Sequence, residues 1–301
     1  MSGVDTVALL SRQPELYSTR RLQQALEDRG FAVLRLAPEE FILGLDGEFT
    51  WRHRDVGVVE VAAVLPRVGS PLTQLGARIL RHFAAQGRYC LNDADALLAA
   101  RDKFGSLQIL QAAGLPVPRT AYFAHASQKE ALLDTLVPPV VVKLLSGSQG
   151  VGVNLAESRE AASALLDTLL HLQHEAMVQE FLPGRSDLRV IVLGDRVLAA
   201  MERRASAQDF RSNLHCGGQA RAWDLGVLDA QVQELSRRAS AALDLDFAGV
   251  DLMRAADGSL RVLEVNPVPS LEGIEKATGV DIAAAVAAWM HLQLESRGRA
   301  A

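Results

Sequence analysis

The stretch LRVLEVNPVPSLEGIE, residues 260–275, begins as a buried strand and then breaks its own pattern. Side chains alternate faces along a strand, so Glu264 and Asn266 project from the same side of a segment otherwise rich in Val and Leu. Pro267 and Pro269 then end the strand at once, because proline donates no ladder hydrogen bond. An edge strand whose polar face meets water accounts for this pattern. So does a pair of oxygen ligands converging on a hard cation, which takes carboxylate and amide oxygens. The strand by itself leaves both readings open.

The residues around it add weight to the second. FAGVDLM (247–253) reads as the partner strand of a hairpin turned at Asp257-Gly258, which sets Asp251 roughly opposite Glu264 if one bulge is allowed. Two carboxylates and an amide, with no His or Cys, suit magnesium, and nucleotide phosphates would complete its octahedron. Like charges among apolar neighbours call for a cation. Further upstream, PPVVVKLLSGSQGVGVNLAES (138–158) is two apolar strands joined by a loop with Gly147, Gly150 and Gly152. Its spacing fails as a dinucleotide fingerprint, because Val151, Val153 and Leu155 continue as strand where a helix is required. What remains is a glycine flap whose bare backbone amides can close over phosphates, although most such hairpins are only turns. Lys143 lies in the apolar strand leading into that flap, where an ammonium either snorkels to the surface or meets an anion. Lys103 offers a second cation, though a lysine on a helix is by default solvated.

The chain has 301 residues, 49% hydrophobic and 22% charged, enough to bury a sizeable core divided into two or three lobes. A net charge of −5 gives no sign of direct nucleic-acid binding. No apolar run reaches membrane-spanning length, the N-terminus lacks a signal-peptide layout, and Cys90 and Cys216 offer no disulfide framework, so the chain reads as cytosolic. Strands over 6–11, 31–36 and 62–69 alternate with helices from Ser18, a capping candidate, to Gly30 and from Pro71 to Gly87, predicting a parallel α/β sheet. In that segment only Arg12 and Arg67 stand out, as exposed-looking strand-end residues. A helix over 93–114, a helix over 159–173, a strand over 176–182, a hairpin over 189–205 turned at Gly194-Asp195, and helices over 229–243 and 281–295 complete the reading. The expected domains are 1–92, 93–182 with the glycine flap, and 183–301 with the metal site.

The order Lys103, Lys143 with its flap, Gln179-Glu180-Phe181, Asp187, Asp251, Glu264-x-Asn266 resembles the ATP-grasp superfamily. RDKFGSLQILQAAGLPVP (101–118), VVKLLSGSQGVGV (141–153), ERRASAQDFRSNLHCGG (202–218) and LEVNPVPSLEGIEKATGVDI (263–282) are similar to the RimK family of glutamate ligases. LSRQPELYSTRRL (10–22) and LPRVG (65–69) extend the resemblance over nearly the whole chain. It implies an ATP-grasp fold behind an N-terminal α/β pre-ATP-grasp domain.

The resemblance further implies that Lys103, Lys143, Gly147, Gly150 and Gly152 hold ATP phosphates, and that Glu180 and Phe181 form the adenine hinge. Asp187 would lie near the ribose, and Arg211, Ser212 and Asn213 would reach the nucleotide and the reacting centre. Arg203, Arg211 and Asn213 are the expected catalytic residues, and Asp251, Glu264 and Asn266 the magnesium ligands, with two ions and manganese able to substitute. The implied reaction phosphorylates a carboxylate and joins L-glutamate to it, at a ribosomal-protein C-terminus or another carboxylate end, in a homo-oligomer. Arg203, Arg204 and Arg211 are cations suited to the glutamate carboxylates. Two alternatives stand beside this: the same chemistry with another amino acid, small-molecule or carrier-protein acceptor, and a nucleotide-binding regulatory module without turnover. The family pattern Glu-Val-Asn-x-Ser-Pro-Gly is replaced here at Pro267, Val268 and Ser270, and Cys216, beside His215, takes a place where a basic residue is common. These departures bear on substrate identity, not on the ATP and metal residues.

Overall fold

The structure is a computed structural model that describes residues 4–54, 56, 59–145, 152–206, 211–212, 218–224 and 230–298. Its N-terminal part contains β1 (Thr6–Leu10), α1 (Tyr17–Asp28), β2 (Ala32–Leu36), a hairpin of β3 (Phe41–Leu45) and β4 (Phe49–His53), β5 (Ala63–Pro66), α2 (Thr73–Ala85) and β6 (Tyr89–Cys90). The order β2-β1-β5-β6 is parallel throughout, as the alternation of strand and helix predicts. Ser18 does not cap α1. The helix begins at Tyr17, and the Ser18 hydroxyl faces inward and accepts from the Leu271 N–H at 2.9 Å. The β3–β4 hairpin went unanticipated: Phe41, Leu43 and Trp51 face the core, but the exposed apolar Ile42, Leu45 and Phe49 blur the alternation that would mark that face.

The next segment is two helices, not one: α3 (Ala94–Arg101) and α4 (Lys103–Ala112). Asp102 interrupts them in an extended conformation, and its carboxylate accepts from the Phe104 and Gly105 N–H groups, capping α4. That break sets Lys103 at a helix start. The central sheet follows, from β7 (Thr120–Tyr122), α5 (Lys129–Thr135), β8 (Val140–Leu144), β9 (Val153–Ala156), α6 (Arg159–His171) and β10 (Ala176–Glu180), in the order β7-β10-β8-β9. Its Val140, Val142 and Val178 face pack against α5 and α6. The opposite face carries Val141, Lys143, Met177 and Gln179.

The last sheet is built from β11 (Ser186–Leu193), β12 (Arg196–Arg204), β13 (Gln219–Ala222), then, after α7 (Ala230–Ala242), β14 (Phe247–Arg254) and β15 (Leu260–Asn266), and is followed by α8 (Glu272–Thr278) and α9 (Ile282–Gly298). Its order is β13-β12-β11-β14-β15, so the strand quoted at the outset is an edge. One face, with Val190, Val192, Val250 and Val262, packs on α7 and also on Ala96, Ala100, Leu107 and Leu110. Ala96, Ala100, Leu107 and Leu110 of α3 and α4 thus pack against this third sheet, while Ala94 and Leu97 of α3 join the N-terminal core. The other face changes character along its length. Ile191, Leu193, Met201 and Phe247 join the N-terminal sheet, α1, α8 and α9 in one apolar cluster. Beyond them the same face turns polar, with Asp187, Arg189, Arg203 and Asp251 buried along it.

Asn92 ties these parts together. Fully buried, it donates to the carbonyls of Phe247 (2.7 Å) and Pro267 (3.0 Å) and accepts from the Phe247 N–H (2.9 Å). Replacing it with Ala leaves those backbone groups unpaired in the interior. Asn92→Ala is expected to lower unfolding free energy by about 2–4 kcal/mol in denaturant titrations, whereas substitution of an exposed polar residue should change it little.

Candidate active site

Strand pairing lines up the polar half of the third sheet. Arg203 on β12 lies opposite Asp187 on β11, Arg189 on β11 opposite Asp251 on β14, Asp251 opposite Glu264 on β15, and Gly249 opposite Asn266. The bulge required to align Asp251 with Glu264 falls between Asp251 and Leu252. Period-two alternation thus places Asp187, Arg189, Arg203, Asp251, Glu264 and Asn266 on one face.

Within that row the buried groups are paired. Arg189 grips Asp251 in a bidentate fork through Nε to Oδ1 and Nη2 to Oδ2. Arg203 forks Asp187 at 2.7 and 2.6 Å and reaches Asp251 Oδ2 at 2.9 Å. The Ser212 hydroxyl donates to Asp187 at 2.6 Å. Burial alone would raise the Asp251 pKa, but Arg189 and Arg203 outweigh it and hold the carboxyl below its ordinary value. Burial likewise works against the Arg203 charge, and Asp251 and Asp187 overcome that and raise its pKa. Gly249 is needed here: a Cβ would sit 2.9 Å from Pro269 Cβ and 3.3 Å from Arg189 Cδ, obstructing the arm that reaches Asp251.

Glu264 and Asn266 stand at the open end of the row, Glu264 exposed and Asn266 half-buried. The Asn266 side-chain oxygen accepts from the Val268 N–H at 3.0 Å, which fixes its orientation at the strand end. Facing them is the polar side of the central sheet. Lys143 Nζ donates to Gln179 Oε1 at 2.6 Å, and Gln179 Nε2 in turn donates to Thr120 Oγ1 at 2.8 Å. Lys103 Nζ donates to the Leu144 carbonyl at 2.6 Å, linking α4 to β8 just before the flap. Burial lowers the Lys143 pKa to about 8; Glu264 and Asp251 oppose that shift and Lys103 reinforces it. Burial lowers the Lys103 pKa too, again against Glu264. Neither ammonium has a carboxylate within ion-pair reach among the described residues; each is half-buried and donates to a neutral oxygen instead.

Several expected residues take different partners from those the resemblance implies. Asp187 is engaged by Arg203 and Ser212 rather than standing open to a ribose. Arg203, expected to stabilise an oxyanion, has its Nε and Nη2 committed to carboxylates. Arg211 is half-buried beside Ser212. Glu180 accepts from the Arg119 backbone N–H and from its Nε, both at 3.0 Å, but Arg119 is 72% exposed, so this pair is weak and leaves Glu180 at the hinge. Gly152 has φ +74°, and its carbonyl accepts from the Leu144 N–H at 2.8 Å, closing the base of the flap. Gly147, Gly150, Asn213, His215 and Cys216 lie outside the described residues. Arg189 is absent from the expected site residues, although period-two spacing from Asp187 and from Glu264's partner strand could have found it, and Gln179 is expected only as part of the Gln179-Glu180-Phe181 segment, with no role of its own. Its bond to Lys143 joins β10 to β8 and is not marked by spacing within either strand. A cavity of about 300 Å3 lined by Tyr122, Phe123, Leu166, Leu169 and His174 contains none of these charged groups.

Two facing sheets, a lysine-bearing strand before a glycine flap, and an acidic sheet edge define an ATP-grasp ligase. Family models agree: residues 6–97 match the RimK PreATP-grasp domain and residues 100–290 the RimK-like ATP-grasp domain, and the chain belongs to this RimK family. It is 40% identical over 290 residues to the probable alpha-L-glutamate ligase 1 of Shewanella amazonensis, covering 94% of each chain. It is 42% identical over 290 residues to the ribosomal protein bS6–L-glutamate ligase of Escherichia fergusonii, covering 94% of this chain and 95% of that one. The solved structure of the ATP-grasp ligase PsnB complexed with minimal precursor, Mg and ADP superposes with a TM-score of 0.74 at 21% identity, over 98% of this chain and 99% of that one.

Two outcomes test this electrostatic arrangement. Arg203→Met strands the buried Asp187 and loosens Asp251, and should cost about 3–5 kcal/mol of stability by denaturant unfolding. Lys143 works in the opposite sense. Its folded pKa of about 8 lies below the unfolded value of 10.5, so between those pH values the unfolded chain binds more protons and this group's contribution to stability rises with pH. Lys143→Met should therefore gain most over wild type below pH 8, and that gain should shrink as unfolding is measured toward pH 10.5.

Proposed function

We propose that this chain uses ATP to activate a carboxylate terminus as an acyl phosphate and joins L-glutamate to it through an α-linked peptide bond, repeatedly where each product ends in another glutamate. The observation that supports this most is the pair of half-buried ammonium groups, Lys103 and Lys143, aimed at the edge that carries Glu264 without forming an ion pair with it. Such a site has room for a polyanion such as a triphosphate.

The donor set suits magnesium: a carboxylate on Glu264, an amide oxygen on Asn266, and Asp251 alongside, all hard oxygens. Asp251 enters such a site already neutralised by Arg189 and Arg203, which leaves Glu264 as the uncompensated anionic ligand. Bound magnesium, two ions with manganese able to substitute, would screen the phosphate oxygens during phosphoryl transfer. Lys143 and Lys103 add fixed positive charge beside the phosphates, and Gln179 holds Lys143 in line through its bond to Thr120. The substrate carboxylate attacks the γ-phosphorus, ADP leaves, and the amine of glutamate then attacks the acyl carbon and expels phosphate. Because Arg203 is committed to Asp187 and Asp251, oxyanion stabilisation falls to Arg211 and Asn213, and Arg203 acts as a positioning residue. Glu180 and Phe181 receive the adenine. The flap that closes at Gly152 excludes water, which would otherwise hydrolyse the acyl phosphate.

The names of the relatives favour glutamate as the amine and a protein C-terminus, such as that of a ribosomal protein, as the acceptor. The replaced residues Pro267, Val268 and Ser270 favour a second acceptor as the competing reading. The enzyme is further proposed to act in the cytoplasm as a homo-oligomer, the exposed Ile42, Leu45 and Phe49 of the β3–β4 hairpin supplying an apolar contact. Incubation with ATP, magnesium and each amino acid in turn, followed by phosphate release and product mass spectrometry, checks the reaction. Glutamate should release phosphate above the no-amine control and yield products heavier by glutamyl units; release with a different amino acid alone would transfer the ligase assignment to that substrate. Glu264→Gln should abolish turnover while leaving the melting temperature close to wild type. Near-wild-type turnover of that variant at saturating magnesium would remove Glu264 from the metal site.

A further inference from the structure

Arg67 directly follows β5 and Arg101 ends α3, and Arg67 reads from the sequence as an exposed strand-end residue. The structure corrects this. Arg67 Nη2 donates to the Pro269 carbonyl at 2.8 Å, and its Nη1 is buried with no hydrogen-bond partner. Arg101 donates from Nη1 to Ser70 Oγ at 2.9 Å and from Nη2 to the Val68 carbonyl at 3.1 Å, while its Nε is likewise buried and unpartnered. Neither guanidinium has a carboxylate within ion-pair distance among the described residues. The contrast is with Arg189 and Arg203, which are buried and fork carboxylates, whereas Arg67 and Arg101 are half-buried with one inward nitrogen each left unpartnered. A guanidinium nitrogen buried without a partner, on a cation that otherwise meets only neutral oxygens, is unfavourable unless something negative completes it.

Electrostatics across the cleft agree with the geometry. Burial first, with Arg101 acting the same way, pushes the Arg67 pKa down to about 10. Glu264 is the acid that acts on Arg101, Lys103 and Lys143 alike, one carboxylate among an excess of cations. The triphosphate of the proposed reaction answers the lysines and leaves the two arginines unanswered. Their location is also telling. Arg67 holds the carbonyl of Pro269, three residues after Asn266, a span of about 10 Å at most. Val268 packs into the same apolar cluster as Val68 and Leu97, so the altered 267–270 loop forms one wall beside the arginines.

We propose that Arg67 and Arg101 form a pocket for a substrate carboxylate that is not consumed in the reaction. The inference rests on the ligase reading above and narrows it. Guanidinium forks match a planar carboxylate. The carboxylate that becomes phosphorylated must stay nucleophilic at the γ-phosphate, which a grip by two cations would oppose. A spectator carboxylate, either on the incoming amino acid or elsewhere on the acceptor, is what this pocket takes.

The test is calorimetric binding to the full chain with magnesium and a non-hydrolysable ATP analogue present, using L-glutamate and a peptide ending in glutamate as probes. Arg67→Met and Arg101→Met should weaken L-glutamate or the peptide by on the order of 10–100-fold, the loss of a charge-assisted contact, with the ATP analogue still bound as in wild type. Whichever probe is weakened identifies the source of the carboxylate. Arg67→Lys retains a donor for the Pro269 carbonyl but lacks the fork, so it should keep the wild-type melting temperature and still bind that probe weakly. The pocket is refuted if wild type binds neither probe, if every variant binds both as tightly as wild type does, or if only the ATP analogue is lost. None of these readings needs turnover. Failure of the ligase reading shows separately, as a wild type that binds a probe yet releases no glutamate-dependent phosphate.

Discussion

Asp251 is 6% exposed in the middle of a sheet face, and an isolated carboxylate there would be untenable. The forks from Arg189 and Arg203 make it possible, and much of the site's geometry follows from them. Arg189 must cross Gly249 to reach Asp251, so position 249 must lack a side chain. Arg203 must also bind Asp187, which brings Ser212 and the start of the described polar loop onto the sheet. With its charge met from one side, Asp251 can stand beside Glu264 without driving it away. The edge strand then presents Glu264 and Asn266 outward.

This network explains why the same sheet face can be apolar at Ile191, Leu193 and Phe247 and ionic two to four residues further on. The apolar half is covered by the N-terminal sheet, α8 and α9, and Asn92 fixes that cover by bonding Phe247 and Pro267. The ionic half is left for the central sheet to face. Charges that are paired within the face hold its shape, whereas those on the opposing walls, Lys103, Lys143, Arg67 and Arg101, lack carboxylate partners. The structural ion-pair network and the groups proposed to bind ligand are thereby separated in space. The first is expected to dominate stability measurements and the second binding measurements.

Much of this was readable from residue patterns. Period-two spacing put Glu264 and Asn266 on one face, turn chemistry at Asp257-Gly258 put Asp251 opposite, and the apolar run before the glycines singled out Lys143. Other expectations failed for physical reasons. The 93–114 segment has continuous helical periodicity, and only the competition of the Asp102 side chain for backbone N–H groups divides it. Ser18 has the chemistry of a cap but is drawn inward by the Leu271 N–H, 253 positions away. For Arg203 the sequence shows a charge and not its partners, Asp187 and Asp251.

Local pattern was enough for strand alternation, hairpin turns, helix periodicity and the kind of ligand atoms on each strand, because these depend on neighbours within a few residues. Recognition of the family motifs then carried the fold class and the ligase chemistry. Which charges are neutralised and which remain open was settled by tertiary packing alone. Arg189 with Asp251 joins residues 62 positions apart, Arg67 with Pro269 joins residues 202 apart, and Asn92 reaches Pro267 across 175. Coulomb and hydrogen-bond energies depend on distance and burial in space, and neither is encoded in the spacing of residues along the chain.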